Sequence, residues 1–266
     1  MGADIKSLRS RIRSVDSTLH LTKAMGLVAS SKIRRATRNM IQTREYAGAL
    51  DELVAALRSS PECERSPYMK AGGTGTRIIV IAGDRGLAGG YNANVFRLAA
   101  TLGDAEFIPL GKRACERFGK PIVSSEHFSG TDAKRLADEQ CRDFLDGKYG
   151  RLGILYTRYR SMMSQEATLV WVLPLEKNEA GEKKDPIFEP DEQTVLNAAV
   201  PTFVSGVLTA CVRESFASEV AARRMAMDSA GKNAQEMIDR LQLQYNRARQ
   251  NSITQEITEI VAGSGL

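Results

Sequence analysis

The stretch IKSLRSRIRSVDSTL, residues 5–19, decides the reading of this chain. Its apolar residues Ile5, Leu8, Ile12, Val15 and Leu19 recur at intervals of 3, 4, 3 and 4. That period draws one narrow apolar seam along a helix, suited to pairing with a second helix. Asp4 is placed to cap the start. The seam continues less regularly through Met25, Val28 and Ile33, then Leu50, Leu53 and Leu57. A matching signal closes the chain, where Ile238, Leu241, Tyr245 and Ala248 are spaced 3, 4 and 3 before the phase shifts at Ile253, Ile257 and Ile260. All eight prolines lie from Pro61 to Pro201. Proline breaks helix interiors, so both ends are free to form very long helices. A helix of about 60 residues would be roughly 90 Å long. Charges recur along both ends, so neither is expected to cross a membrane. The expected shape is a rod on a globular base.

Between the two seams the pattern alternates. Residues 77–82 (RIIVIA) and 106–110 (EFIPL) read as strands, each followed by a helix, at 92–100 and 113–118. Residues 121–123 read as a short third strand. Residues 131–145 read as an amphipathic helix capped near Thr131 or Asp132, and 152–157 and 167–173 as a hairpin. Strand–helix alternation predicts a small Rossmann-like α/β domain with a mostly parallel sheet. The expected divisions are an N-terminal coiled-coil helix over 1–60, an α/β domain over 76–175 and a C-terminal coiled-coil helix over 193–266, with a polar loop at 176–186. Two proline-free seams predict that the terminal helices pair with each other, antiparallel. Parallel pairing between two copies also satisfies the seams, but only the antiparallel hairpin sets both helix roots beside one central domain.

The net charge of +5 is unevenly placed. Residues 1–60 carry 11 Lys/Arg against 5 Asp/Glu, whereas residues 201–266 carry 7 of each. The basic excess gathers at Lys32, Arg34, Arg35 and Arg38. Such a helix suits an acidic protein partner, nucleic acid or plain solvent. Cys63, Cys115, Cys141 and Cys211 form no CxxC pair and have no histidine at zinc-ligand spacing, so free thiols in a reducing compartment are expected. The opening residues lack the apolar run of a secretory signal, which points to the cytoplasm.

The most enzyme-like stretch is GDRGLAGGYNAN, residues 83–94, set between a strand and a helix. Glycine-rich turns there can cradle phosphate at a helix N-terminus. This one has neither the GxGxxG spacing nor the lysine of a phosphate loop, which favours a tight structural turn. His20 and His127 have no GxSxG-type nucleophile beside them, and Asp138 and Glu139 read as helix-surface residues. The apolar tip Ile257, Ile260, Val261 and Leu266 is unusual near a chain end and expects a partner to enclose it.

Three segments carry a family resemblance. IKSLRSRIRSVDSTLHLTKAMGLVASSKIRRA (5–36), DRGLAGGYNANV (84–95) and ITQEITEIVAGS (253–264) resemble the γ subunit of bacterial F-type ATP synthases. The last segment fits I-T-x-E-x-x-E-x-x-x-G-[AS] at every defined position. Ala88 stands where that family often has cysteine, Gly26 where a bulkier or acidic residue is usual, and no cysteine-bearing insert of the chloroplast type precedes the last helix. The resemblance implies a central rotor shaft that couples proton or sodium flow to ATP synthesis or hydrolysis. Its implied partners are the α and β subunits of the F1 ring, the ε subunit and the c-ring. It implies a peripheral complex on the cytoplasmic face of the bacterial cell membrane, with no catalytic group, metal, cofactor, nucleic acid or directly bound nucleotide on this chain. By the same resemblance Met25, Arg223, Arg249, Gln250 and Thr254 face the β subunits. The alternatives are a nucleotide-binding α/β enzyme with coiled-coil arms, working through the 83–94 turn, and a basic coiled-coil nucleic-acid binder.

Overall fold

The computed structural model describes residues 2–177 and 188–263. Two helices dominate it, α1 over Gly2–Arg58 and α5 over Glu192–Gly263. Between them run β1 (Thr76–Ile81), α2 (Tyr91–Ala100), β2 (Glu106–Leu110), α3 (Lys112–Phe118), α4 (Gly130–Leu145), β3 (Arg151–Tyr159) and β4 (Gln165–Leu173). Most of the expected polar loop at 176–186, and Leu266 of the apolar tip, fall outside the described residues. Two compact units divide the chain: Ser31–Arg223, and Met1–Ser30 with Arg224–Leu266.

In the larger unit four strands form one sheet in the order β2-β1-β3-β4. β1 pairs in parallel with β2 and β3, while β3 and β4 form the antiparallel hairpin. One face, with Ile78, Val80 and Leu155, is covered by Val95 and Ala99 of α2. The other, with Ile79, Ile81, Leu152, Ile154 and Val172, joins Ala137 and Phe144 of α4 to Leu57 of α1 and Leu196, Val200 and Leu208 of α5. Buried Arg77 donates to Asp143 at 2.7 Å, Gln140 at 2.9 Å and Glu106 at 2.8 Å, tying β1 to α4 and β2.

α1 and α5 run antiparallel within this unit. Ala36 and Met40 meet Ala217, while a side chain on Gly206 would sit against Leu50 and Tyr46. They are antiparallel in the smaller unit too, where Leu19 packs with Ala234 and Ile238 and Gly26 lies against Met227. Each chain pairs its own helices, so pairing between two copies is not needed to bury the seams.

One line of residues turned away from solvent runs along α1 through Ile5, Leu8, Ile12, Val15, Leu19, Thr22, Gly26, Ala29, Ile33, Ala36, Met40, Thr43, Ala47, Leu50, Val54 and Leu57, with half-buried Met25, Ser30, Lys32, Thr37, Asn39, Ala55, Ala56 and Arg58 beside it. The spacing along that line alternates between 3 and 4 without a break. The expected seam positions Val28 and Leu53 are exposed, with Ala29 and Val54 buried in their place. Small residues hold the middle of the seam, where the helices approach closely, so apolar size is a poor guide to its phase there.

Other expectations are corrected. Residues 121–123 form no strand. Pro121 has no N–H for a ladder, and Val123 makes only isolated contacts: its carbonyl accepts from Gly111 N–H at 2.8 Å and its N–H meets Cys115 Sγ. α4 is capped by Ser129, which forms a capping box with Asp132, rather than by Thr131 or Asp132. Asp4 lies within the first turn of α1, where its charge favours the helix dipole, rather than at the cap.

Pro201 lies inside α5. Its ring removes one donor to the carbonyl four residues earlier, and burial of Leu196, Val200, Val204 and Leu208 holds the helix across that gap. The same root corrects the expectation about charge. No charged residue occurs between Glu192 and Arg213, and an 18-residue window of α5 reaches a mean hydropathy of 1.8, apolar enough by composition to cross a membrane. The sheet explains that apolarity, because much of this stretch belongs to the core of the larger unit.

Two outcomes follow from the packing. Gly26→Ala adds a Cβ that meets Met227 Cβ at an ordinary 3.7 Å, so urea denaturation should show stabilisation of about 1 kcal/mol from helix propensity. Gly206→Val would drive its Cβ onto Leu50 and should cost about 1–3 kcal/mol by overpacking. Destabilisation by Gly26→Ala, or no loss of stability in Gly206→Val, would contradict this packing. The thiols supply the second outcome. All four cysteines are free and buried, and burial raises Cys63 to about 11 and Cys141 to about 12. A thiol-exchange reagent at pH 8 should therefore titrate the native chain far more slowly than the denatured chain; rapid native labelling would contradict this burial.

Candidate functional site

The glycine-rich turn that follows β1 is bonded into the chain on every side. Asp84 accepts hydrogen bonds from Ser124 Oγ at 2.5 Å and from the backbone N–H groups of Lys112 (2.9 Å), Ser125 (3.0 Å) and Glu126 (2.9 Å). Burial opposes its charge, but these four donors hold its carboxyl below the usual carboxylate range. The acid therefore fastens the 124–126 loop and the start of α3. Gly83 N–H donates to Asn92 Oδ1 at 2.9 Å, closing the turn on itself. At its tip Leu87 has a φ of 61° and projects into solvent.

α5 seals the other side. The Glu219 carboxyl group lies so close to Gly83 that a Cβ there would stand 2.7 Å from its Cδ. A side chain at position 83 would have to push the Glu219 carboxyl group out of its bond with Arg223. Glu219 is 3% exposed, and burial raises its pKa although Arg223 opposes the shift. Arg223 donates to Glu219 Oε1 at 2.5 Å, and its Nε and Nη2 reach the Gly86 carbonyl at 3.3 and 3.2 Å. Tyr91, at the head of α2, donates its hydroxyl to the Ser215 carbonyl at 3.0 Å.

The end of β3 is held by the same stretch of α5. Ser215 Oγ accepts from Thr157 N–H at 3.0 Å and Ser218 Oγ donates to the Thr157 carbonyl at 3.1 Å. Glu214 Oε1 accepts from Tyr159 N–H at 2.9 Å and from Arg44 Nη2 at 2.8 Å. In open α/β sheets ligands bind in the crevice beyond the carboxyl ends of the strands. Here Glu214, Ser215, Ser218, Glu219 and Arg223 fill the space beyond β1 and β3. The arrangement is a mechanical clamp whose carboxylates and serine hydroxyls are bonded within the chain, while the buried Thr157 hydroxyl is left without a hydrogen-bond partner.

The residues singled out from the sequence do not gather in one pocket. In the larger unit, the Arg223 side chain is only 13% exposed and is spent on the clamp. In the smaller unit Met25 is half-buried on α1, while Arg249, Gln250 and Thr254 are exposed on α5. Ala248 and Ser252 are the half-buried seam positions around them. Exposed Ile253, Ile257 and Ile260 lie off that seam, as do Leu21, Leu27 and Val28 on α1. His20 sits 3.7 Å from Asp16 on the surface of α1, and His127 is exposed in its loop. Four of the clamp residues on α5 were missed, and the fifth, Arg223, was named only for facing the β subunits. Their signal was polar Glu214, Ser215, Ser218 and Glu219 on one face of an otherwise apolar helix, a pattern of internal hydrogen bonding.

Known proteins are similar to this chain in sequence and in fold. The sequence model of the family described as "ATP synthase" matches residues 4–265. A chain from Ruminococcus albus named "ATP synthase gamma chain" is 38% identical over 98% of both sequences. The protein of the same name from Geotalea daltonii is also 38% identical, again over 98% of each. One from Clostridium perfringens is 32% identical over 99% of this chain and 98% of its own. Among solved structures, a chain of the Euglena gracilis mitochondrial ATP synthase, in an assembly titled OSCP/F1/c-ring, is similar in fold with a TM-score of 0.70. It is 18% identical and the match covers 100% of this chain and 97% of that one. A second Euglena gracilis chain, from a structure titled as the rotor, gives 0.68 at 20% identity, covering 95% and 100%. A family model matching residues 4–265, with relatives at this identity over almost all of their length, places the chain in the ATP synthase gamma-chain family.

Proposed function

We propose that this chain is the central rotor shaft of an F-type ATP synthase, a non-catalytic subunit at the cytoplasmic face of a bacterial cell membrane. It transmits ion flow, of protons or sodium, from the membrane sector to ATP synthesis and hydrolysis on the surrounding α and β subunits. Its partners are that α/β ring, the ε subunit and the c-ring. The observation that carries the non-catalytic reading is the filled crevice beyond β1 and β3, where α5 takes the place a nucleotide would need. The antiparallel helices supply a stiff element for torque. The basic excess of residues 1–60 suits acidic segments on the moving partner.

On this reading Met25, Arg249, Gln250 and Thr254 meet the β subunits, and Arg223 offers them only the edge left exposed by its bonds to Gly86 and Glu219. Titration calorimetry of the full chain with ATP, ADP and NAD separates the shaft from an enzyme built on the 83–94 turn. Tight binding, lost on altering that turn, would favour the enzyme. Co-purification with α and β subunits is the complementary requirement.

Arg249→Ala combined with Gln250→Ala tests the contact assignment directly. Both residues are exposed, so circular dichroism of the purified subunit should be unchanged. Loss of a charge-assisted hydrogen bond to an acidic loop costs about 1.5–3 kcal/mol, and ATP synthesis by membranes carrying the variant should fall accordingly. Normal assembly and wild-type synthesis would remove these two residues from the interface and leave the shaft reading standing.

A further inference from the structure

The larger unit holds a second feature that the shaft reading does not use. A recess of about 290 Å³ lies between α1, the 124–128 loop and α5, lined by Lys32, Arg35, Asn39, His127, Arg213 and Phe216, with Ala36 and Glu126 completing its wall. Its volume is at the small end of the range of about 300–1,000 Å³ typical of ligand pockets. It has room for roughly ten water molecules at about 30 Å³ each.

The charges around it do not balance. Lys32, Arg35 and Arg213 face one carboxylate, Glu126. That carboxylate is engaged twice, by Lys32 Nζ at 2.6 Å and by Arg85 Nη2 at 3.4 Å. The Lys32 hydrogen bond leads the effects that hold Glu126 below the usual carboxylate range. Arg213 is oriented by a bond from Nη2 to the Phe128 carbonyl at 2.9 Å, a neutral acceptor that leaves its charge uncompensated. Arg35 makes no ion pair among the described residues. Two guanidinium groups that make no ion pair among the described residues line one recess, so an anion entering it finds two cationic partners. Asn39 adds a side-chain amide, while Ala36 and Phe216 provide an apolar wall that lowers the local dielectric.

We propose that this recess is a binding site for a small multivalent oxyanion of the phosphate class, held by Arg35, Arg213 and Lys32. Arginine forks match tetrahedral oxyanions in bidentate geometry. Two arginines from different helices can grip one anion from opposite sides. A nucleoside is not part of the ligand, since Phe216 is the only aromatic ring of the lining beside His127 and the volume is taken by the anion and its water. The site stands independently of the rotor reading.

Pyrophosphate is the probe, titrated calorimetrically into the full chain at low salt. One-site binding is expected, at least tenfold weaker in Arg35→Ala and in Arg213→Ala and weaker still in the double variant. Arg97→Ala, whose arginine lies outside the recess on α2, should bind as wild type. Arg35→Lys, which keeps the charge on an exposed helix position, should retain part of the affinity and guards against a folding defect. Orthophosphate should compete with pyrophosphate. A tetraglutamate peptide should not, because four carboxylates on a chain cannot enter so small a recess together. Absence of binding, equal loss in Arg97→Ala, or a peptide that binds as tightly as pyrophosphate would each overturn the proposal, the last by making the recess a docking point for an acidic protein segment.

Discussion

The antiparallel pairing of α1 and α5 is the interaction on which the other elements depend. Each helix is far longer than an isolated helix can sustain by propensity alone, and most helical stability in proteins comes from packing an apolar face. The inward face of α1 keeps its 3, 4 alternation from Ile5 to Leu57. This allows one side of a 57-residue helix to stay against a partner. A strict 3.5-residue repeat drifts by about 20° per heptad relative to a straight helix, so the two helices must adapt to each other continuously. Small residues make that possible. Gly26, Ala29, Ala36 and Ala47 occupy seam positions in α1, and Gly206 in α5 admits Leu50.

The α/β layer is fixed to this pair by polar groups as well as by the apolar core. Burying Glu214 and Glu219 is costly, since a carboxylate removed from water loses several kcal/mol of solvation unless it is paired and hydrogen-bonded. Both are satisfied. Glu214 bridges Arg44 and the Tyr159 amide, and Glu219 is bound by Arg223. An apolar replacement could bury as much area, but it would not define the register between α5 and the strand end. The paired Ser215 and Ser218 bonds to Thr157 do so. The buried polar face thus specifies one arrangement of helix and sheet, while the surrounding leucines and valines supply the driving force.

Much of this was legible in the residues. Leu19 and Ile238 announced their helices because large apolar side chains marked the seam, and the β-branched run of β1 was unmistakable. The phase slipped at Val28, where the seam runs instead through the small residues Thr22, Gly26 and Ala29, was regained at Ile33, and slipped again at Leu53, whose size and apolarity are close to those of buried Val54 beside it. The 121–123 segment had strand composition but sits where Pro121 cannot join a ladder. Pro121 announced the missing donor in the sequence, but not that no strand edge would lie beside Ile122 and Val123. The cap of α4 was missed by two residues because Ser129, Thr131 and Asp132 are all capping types, and backbone geometry chose among them. At the turn, glycine spacing favoured a structural role, and the bonds of Asp84 and Asn92 are those of a tight structural turn. The spacing could not name Glu219, which lies well over a hundred residues away in sequence and meets Gly83 only through the fold.

The distribution of strong and weak interactions bears on the proposed rotor role. Several short charge-assisted bonds in the larger unit reach buried or half-buried carboxylates, Arg223 to Glu219, Arg44 to Glu214 and Arg77 to Asp143, alongside exposed pairs such as Lys177 with Glu64. In the smaller unit the outward faces carry separate apolar residues such as Leu21, Leu27 and Ile257, interspersed with exposed Arg249, Gln250 and Thr254. A shaft turning inside a sleeve must be centred without being held at one angle. Each fully desolvated ion pair would add a register-specific well, because truncating one partner of such a pair typically costs about 2–5 kcal/mol. Non-directional apolar contact and solvated polar groups make shallower wells, since their energy depends on area rather than on one geometry. The same chain therefore uses directional bonds where its parts must not move against each other, and leaves non-directional surface where the proposed motion occurs.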